Sequence, residues 1–441
     1  MHGTLSPPQR ERIAVIGAGI AGLSAAWLLR DVHDVVLYEA EPRLGGHADT
    51  QEVEVAGEPV AVDTGFIVYN EVNYPNLVAL FSALGVATEP SDMSFAVARL
   101  DRDFEYAGGS FAQLFADPRN AASPRFWGML RDVLRFYRRA PSVLSAADDT
   151  LTLGAYLERE RFGAAFVQDH LLPMGAAIWS ASVEGIRDFP ARAFVQFFHN
   201  HGLLRLSGRP RWRTVTGGSR RYVARIAAAL GDRVRLGRRV VALRRDETSV
   251  WLLREGDVPE RFDRVVLAVH GDQALALLDP ATEAETQILS AVRYQENRLV
   301  LHTDPALMPR RRRVWSSWNY LSAGEADETR AVCVSYWMNR LQNLKTRLPL
   351  IASLNPFRDP NPASVLVERV YRHPQYDRAM LQAQKALPAI QGRDRLHFCG
   401  AWCGYGFHED GIASAIRVAE ALGAPPPWRA TIAPAGGETV R

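Results

Sequence analysis

The chain is expected to be α/β: a parallel-sheet nucleotide-binding domain interrupted by an inserted α+β domain. Three observations lead there. Near the start, RIAVIGAGIAGLSAAWLLR reads as strand, glycine turn and helix, and DVVLYEA follows as a second strand. Near the other end, LHFCG, AWCGYGFHED and GIASAIRVAEALG read as strand, loop and helix. The chain has 441 residues, 47% of them hydrophobic, enough for a large core and more than one domain.

Each element has a physical reason. Arg12–Ile16 is short and apolar, and Gly17, Gly19 and Gly22 form G-x-G-x-x-G. Leu23, Ala26, Trp27 and Arg30 then recur at helical spacing. Gly17 permits a tight turn, Gly19 lets the backbone approach a pyrophosphate, and Gly22 lets the helix pack on the strand. Ile20 and Ala21 open that helix, whose N-terminus faces the anion. Glu39, with Ala40 beside it, ends the second strand about 20 residues on, where an acid accepts from ribose hydroxyls. A Rossmann-like dinucleotide site fits this context better than a packing turn.

Composition removes several classes. Lys+Arg 52 against Asp+Glu 49 gives a net charge of +3, too little basic excess for a nucleic-acid binder. Lysine stands only at 345 and 385, so nearly every basic residue is arginine. Three cysteines make no disulfide framework, which fits a reducing cytosol. The apolar run 13–29 resembles a signal peptide, but its glycine pattern belongs to the nucleotide turn, and it is short for a membrane span. A cytoplasmic location is therefore expected.

The segment EAEPRLGGHADT places Arg43, Gly45, Gly46 and His47 just after the ribose acid. It resembles the second phosphate loop of the FAD-binding amine oxidase superfamily, with His47 where that family usually has arginine. VDTGF, with Thr64, Gly65 and Phe66, resembles the family's flavin-proximal segment. Residues 216–230 resemble its Gly-Gly helix start, Val240 its adenine contact, and 262–270 the strand returning to the nucleotide domain. At the far end, Gly400 and the helix opened by Gly411 and Ile412 resemble its last flavin-contacting element, with Asp410 as N-cap. The resemblance implies one FAD, with the free N–H groups of that helix aimed at the flavin pyrimidine edge. Within the superfamily, SDMSFAV, MNRLQNL, RHPQYDRA and GFHEDG resemble a bacterial branch that accompanies enzymes of cyclopropane and methyl-branched fatty acid synthesis.

Cys399 and Cys403 make C-x3-C, a zinc half-site or redox pair by spacing alone. No second ligand pair follows and redox pairs favour C-x-x-C, so no metal is expected. Covalent flavin attachment through Cys403 stays open. His408 and Glu409 are the candidate acid/base or substrate-orienting residues, the alternative being that they satisfy the loop backbone. The nucleotide domain is expected over 1–85, 212–275 and 385–425, the substrate domain over 86–211 and 276–384, and a disordered tail over 426–441.

One dinucleotide fingerprint means that electrons come from the substrate. The resemblance places Asn297 and Arg298 where amine oxidases carry a lysine near the flavin, which disfavours amines. The expected activity is therefore hydride removal from an activated C–H of an unsaturated or methyl-branched acyl chain, by desaturation or isomerisation. An amine oxidase, caged by Trp402, Tyr405 and Phe407, and a non-enzymatic flavoprotein are the alternatives. The helix 125–140 is expected to pack on the core and 308–320 to be an exposed loop. Their arginines and aromatics also leave room for peripheral contact with the inner face of a membrane.

Overall fold

The computed structural model describes residues 10–145, 150–324 and 332–429. Five parallel strands form the nucleotide sheet, in the order Val234–Arg235, Asp34–Tyr38, Arg12–Ile16, Arg264–Leu267, Leu396–Phe398. The central register pairs Ile13 with Val35 on one side and Arg264 on the other. Parallel pairing puts every C-terminal end on one edge, where Gly17, Glu39, Ala268 and Cys399 leave the sheet. That edge is where open α/β sheets bind ligands.

Helix α1 (Ile20–Leu29) is buried along its whole length, as its apolar sequence requires. Its covers come from distant segments. Helix α2 (Pro75–Leu84) starts with proline at its first turn and ends at Gly85 in the left-handed conformation. Helix α3 (Pro124–Arg139) belongs to the insertion. Helix α4 (Arg220–Leu230) and helix α5 (His408–Ala421) both pack against α1. Trp428 stacks on Trp27 with ring centroids 6.0 Å apart, so order continues past the expected start of the tail at 426. Residues 430–441 lie outside the described ones.

The two insertions share one seven-stranded sheet. Its order is Val365–Pro374, Tyr294–His302, Ile351–Leu354, Cys333–Trp337, Trp318–Ser322, Phe95–Arg99, Phe104–Ala107. Trp318–Ser322 runs parallel to Phe95–Arg99, which joins the first insertion to the second. The Val365–Pro374 strand faces the nucleotide domain, where the Tyr371 hydroxyl donates to Asp49 at 2.8 Å. Helix α3 and its neighbours in the first insertion pack Phe126, Phe136 and Phe166 into a core that is continuous with both sheets, through Val97, Leu301 and Val265.

The exposed loop expected over 308–320 is corrected. Met308 and Trp315 are buried, and Trp318–Ser322 is an interior strand. Three of the four arginines have fixed partners: Arg311 pairs with Glu105 at 2.8 Å, Arg310 with Asp103 at 2.7 Å, and Arg312 lies 3.7 Å over the Trp315 ring.

Candidate functional site

Two glycine loops meet at the ligand edge. Gly17 has φ +97, and a Cβ there would stand 2.7 Å from the Ala268 carbonyl. A Cβ on Gly22 would lie 1.8 Å from the Gly17 carbonyl, so α1 presses directly on the turn. Gly19 differs: a Cβ there meets nothing within 4 Å. It begins α1 with no side-chain cap, leaving the first-turn N–H groups of Ile20, Ala21 and Gly22 without a capping side chain. The second loop is tied on by Gly45 N–H donating to the Ala18 carbonyl at 2.9 Å. There Gly46 comes so close that its Cβ would stand 3.0 Å from the Gly19 Cα.

Glu39 closes one side. Its carboxylate accepts from the Ala18 N–H at 2.7 Å and the Glu41 N–H at 2.9 Å, leaving lone pairs for hydroxyl donors. Gly237 and Arg238 N–H groups donate to the Glu41 and Glu39 carbonyls, which brings buried Val240 to the same end. Ala40 and Arg43 are exposed on the loop between, with Arg43 donating to the Gly46 carbonyl at 3.0 Å.

Farther along, Gly65 lies under His47, whose carbonyl a Cβ would approach to 2.0 Å. The Phe66 N–H donates to that carbonyl at 2.7 Å. The Thr64 hydroxyl bonds Tyr371 at 2.7 Å, a tie to the inserted sheet. Its neighbour Asp63 accepts from Ser219, Thr50 and Gln342, and burial raises its pKa to about 6.

The last helix begins earlier than expected. α5 starts at His408, Phe407 is the N-cap, and Asp410 sits inside the first turn, accepting from the Phe407 N–H at 2.9 Å. Gly411 N–H is committed to the Phe407 carbonyl, and Ile412 is one residue deeper in the helix. The open first-turn donors are therefore those of His408, Glu409 and Asp410. Gly411 has a packing role instead, since a Cβ there would stand 2.8 Å from Ile20. Gly400 makes room for the Trp402 ring and donates to the Ser414 hydroxyl at 2.9 Å.

The two expected chemical residues part company. His408 stacks on Phe66 at 3.7 Å, bonds the Tyr222 hydroxyl at 3.1 Å, and is held neutral by burial, its pKa lowered to about 3. Glu409 instead accepts from the Asn76 N–H, the Leu77 N–H and the Asn76 amide, at 3.0, 3.0 and 2.7 Å. Both of its oxygens cap α2, which is a structural duty.

The sequence reading missed a histidine cluster at the seam between sheet edge and insertion. His47 stands 6.1 Å from His270 and 5.5 Å from His373, ring centre to ring centre. Tyr294 stacks on His270 at 4.2 Å, and Tyr371 lies 5.3 Å from His47. Burial lowers all three histidines, His270 to about 4 and His373 to about 3. His47 Nε2 and His270 Nδ1 are buried without partners. His373 Nδ1 accepts from Asn297 at 3.0 Å, and Asn297 in turn accepts from Asn355 at 2.7 Å. Arg298 points outward to Glu368 and Asp359. Among the described residues these rings form no metal-holding group. Burial pushes Cys403 up to about 12 and Cys399 well above its usual range, so both are thiols.

Two of the expected cage residues have partners within the protein. The Trp402 indole donates to the Val269 carbonyl at 3.1 Å, and Phe407 stacks on Phe197 at 5.0 Å.

The residues fit FAD. A side-chain-free cradle at Gly19, an uncapped helix start and the Glu39 carboxylate take a dinucleotide, and the orphaned nitrogens of His47 and His270 offer polar contacts farther along. Fold and site thus define a dinucleotide-binding flavoprotein. The chain belongs to the flavin-containing amine oxidoreductase family, whose model matches residues 20–423. By class it is an FAD-dependent oxidoreductase.

Carotenoid phi-ring synthase of Chlorobaculum tepidum is 35% identical over 101 residues, which is 22% of this chain and 16% of the relative's length. Cyclohexylamine oxidase from Brevibacterium oxydans IH-35A superimposes with TM-score 0.67 at 18% identity, over 94% of this chain and 100% of that one. A fatty acid isomerase from P. acnes that produces CLA gives 0.66 at 15%, over 95% and 99%. One fold carries both neighbours, so the fold does not choose a substrate.

Proposed function

We propose that the protein removes a hydride from an activated C–H of an unsaturated or methyl-branched fatty acyl chain, desaturating the chain or moving its double bond. FAD supplies the hydride-accepting chemistry. The observation that carries the reading is the neutrality of the seam. Asn297 is pinned between His373 and Asn355, and His47, His270 and His373 are uncharged. Both lysines are exposed elsewhere. The carboxylates nearby each have a partner: Asp49 has Tyr371, Arg43 and Arg369, Asp410 has the Phe407 N–H, and Asp272 has Arg372 on one oxygen at 2.6 Å. Such a wall of neutral rings and already paired carboxylates suits a hydrocarbon better than an ammonium. His47 Nε2 and His270 Nδ1 are the unpartnered atoms suited to hold the proton that leaves the neighbouring carbon.

Anaerobic mixing of the FAD-loaded protein with unsaturated lipids and with amines tests this. Bleached flavin, or a relocated double bond in recovered chains, is expected with lipids only. Bleaching by amines alone, with every acyl species unchanged in cells lacking the gene, would establish the amine oxidase alternative instead.

A further inference from the structure

We propose that the outer face of α3 is a docking surface for an anionic phospholipid membrane. The helix buries Phe126, Met129, Val133 and Phe136, which fixes its opposite face toward solvent. On that face Trp127, Arg131, Leu134 and Arg138 follow at spacings of four, three and four residues. They form one stripe of alternating apolar and cationic side chains about 16 Å long. Trp127 is 52% exposed and Leu134 46%.

The surface continues beyond both ends of the stripe. Phe115 packs on Trp127 at 5.5 Å, and Phe111, one turn before Phe115, is 82% exposed. At the other end Arg209 donates to the Tyr137 hydroxyl, and neighbouring Leu206 is 73% exposed. Single exposed apolar residues are ordinary on a protein surface, whereas a belt of them interleaved with cations marks an interaction site.

The charges complement an anionic leaflet. Arg125 and Arg139 on the flanks are paired with Asp169 and Glu160, and Arg131 on the stripe lies 3.7 Å from the Asp132 carboxylate with its side chain still exposed. Arg138 and Arg209 donate only to backbone carbonyls and to a hydroxyl, with no carboxylate partner among the described residues. Their attraction to acidic headgroups is therefore not already satisfied. The Trp127 indole N–H is satisfied by the Ala121 carbonyl at 2.9 Å, so the ring enters an apolar interface without an unpaired donor. Arginine stems lie along the apolar boundary while their heads stay with the phosphates. Among the described residues no helix is long and apolar enough to cross a membrane, and the contact proposed is peripheral.

This inference stands apart from the acyl-chain reading: a failure of one leaves the other untouched. The test is co-sedimentation of the full FAD-loaded chain with phosphatidylcholine vesicles, with and without phosphatidylglycerol. Binding is expected only with the anionic lipid, and is lost in high salt. Quenching by brominated acyl chains should disappear in Trp127→Phe. Each arginine near the surface contributes roughly fivefold, so Arg131→Glu with Arg138→Glu should weaken binding more than about 20-fold, with flavin absorbance and melting unchanged. Trp127→Ala with Leu134→Ala keeps the charges and should weaken binding to the same vesicles. Absent binding, binding indifferent to these substitutions, or a dimer in sedimentation that the same substitutions dissolve would each overturn the proposal.

Discussion

Replacing Gly19 by alanine separates the cofactor cradle from the fold. The added methyl meets no protein atom within 4 Å, and Gly19 has φ −72, which alanine adopts without strain. Folding of the FAD-free protein should therefore hold or improve, by about 0.4–1 kcal/mol from the stiffer unfolded chain. The same methyl fills the space where the pyrophosphate approaches the N–H groups of α1. Losing one charge-assisted hydrogen bond costs about 1.5–3 kcal/mol, which is roughly 10- to 150-fold in affinity. Urea unfolding of the apoprotein and fluorescence titration with FAD measure the two effects independently. Unchanged FAD affinity in a stable Gly19→Ala protein would refute the placement of the phosphates over Gly19.

Gly22→Ala should do the reverse, since its methyl would meet the Gly17 carbonyl at 1.8 Å; a loss of about 3 kcal/mol or more in urea unfolding is expected. Glu39→Ala should weaken FAD by about 1.5–3 kcal/mol in the same titration, with little change in the spectrum of bound flavin. Glu409→Ala should lower stability by about 1–2 kcal/mol through the lost α2 cap, while single-turnover flavin reduction stays near wild type; the opposite pattern would restore Glu409 to the chemistry. His373 has a folded pKa lowered to about 3, so the unfolded chain binds the extra proton. Its contribution is intact above about pH 6.5 and falls by up to about 1.4 kcal/mol per unit on acidification. The stability gap between wild type and His373→Gln, measured by urea at several pH values, should narrow accordingly as pH drops.

How far the sequence could be read follows from where each signal lies along the chain. The Gly17–Gly22 turn and Glu39 are local: a glycine pattern, a strand and an acid within one short segment. The start of α5 is harder to read, because Asp410 has N-cap chemistry yet serves from inside the first turn, accepting from the Phe407 N–H. Residues 308–320 look like a solvated basic loop until Glu105 and Trp337, far away in sequence, turn out to face their arginines. The histidine cluster had no local signature at all. His47, His270 and His373 leave three separate strands or loops, and only the packing of the inserted sheet on the nucleotide edge brings them together. RHPQYDRA could be recognised as a family segment, but nothing in it says that its histidine faces His47.

The covering of α1 has a bearing on how this protein is made. Its ten residues are all buried and, Ser24 apart, apolar, and α5 is a principal part of what buries them. The strand Leu396–Phe398 that leads into α5 also completes the sheet beside Arg264–Leu267. During synthesis, then, a sticky helix leaves the ribosome more than 360 residues ahead of the segment 396–421 that covers it. The nucleotide pocket cannot close before that, however well the early strands have formed. The inserted domain matures in the interval, and a nascent chain halted within it would carry an uncovered apolar helix, a natural handle for holdase chaperones.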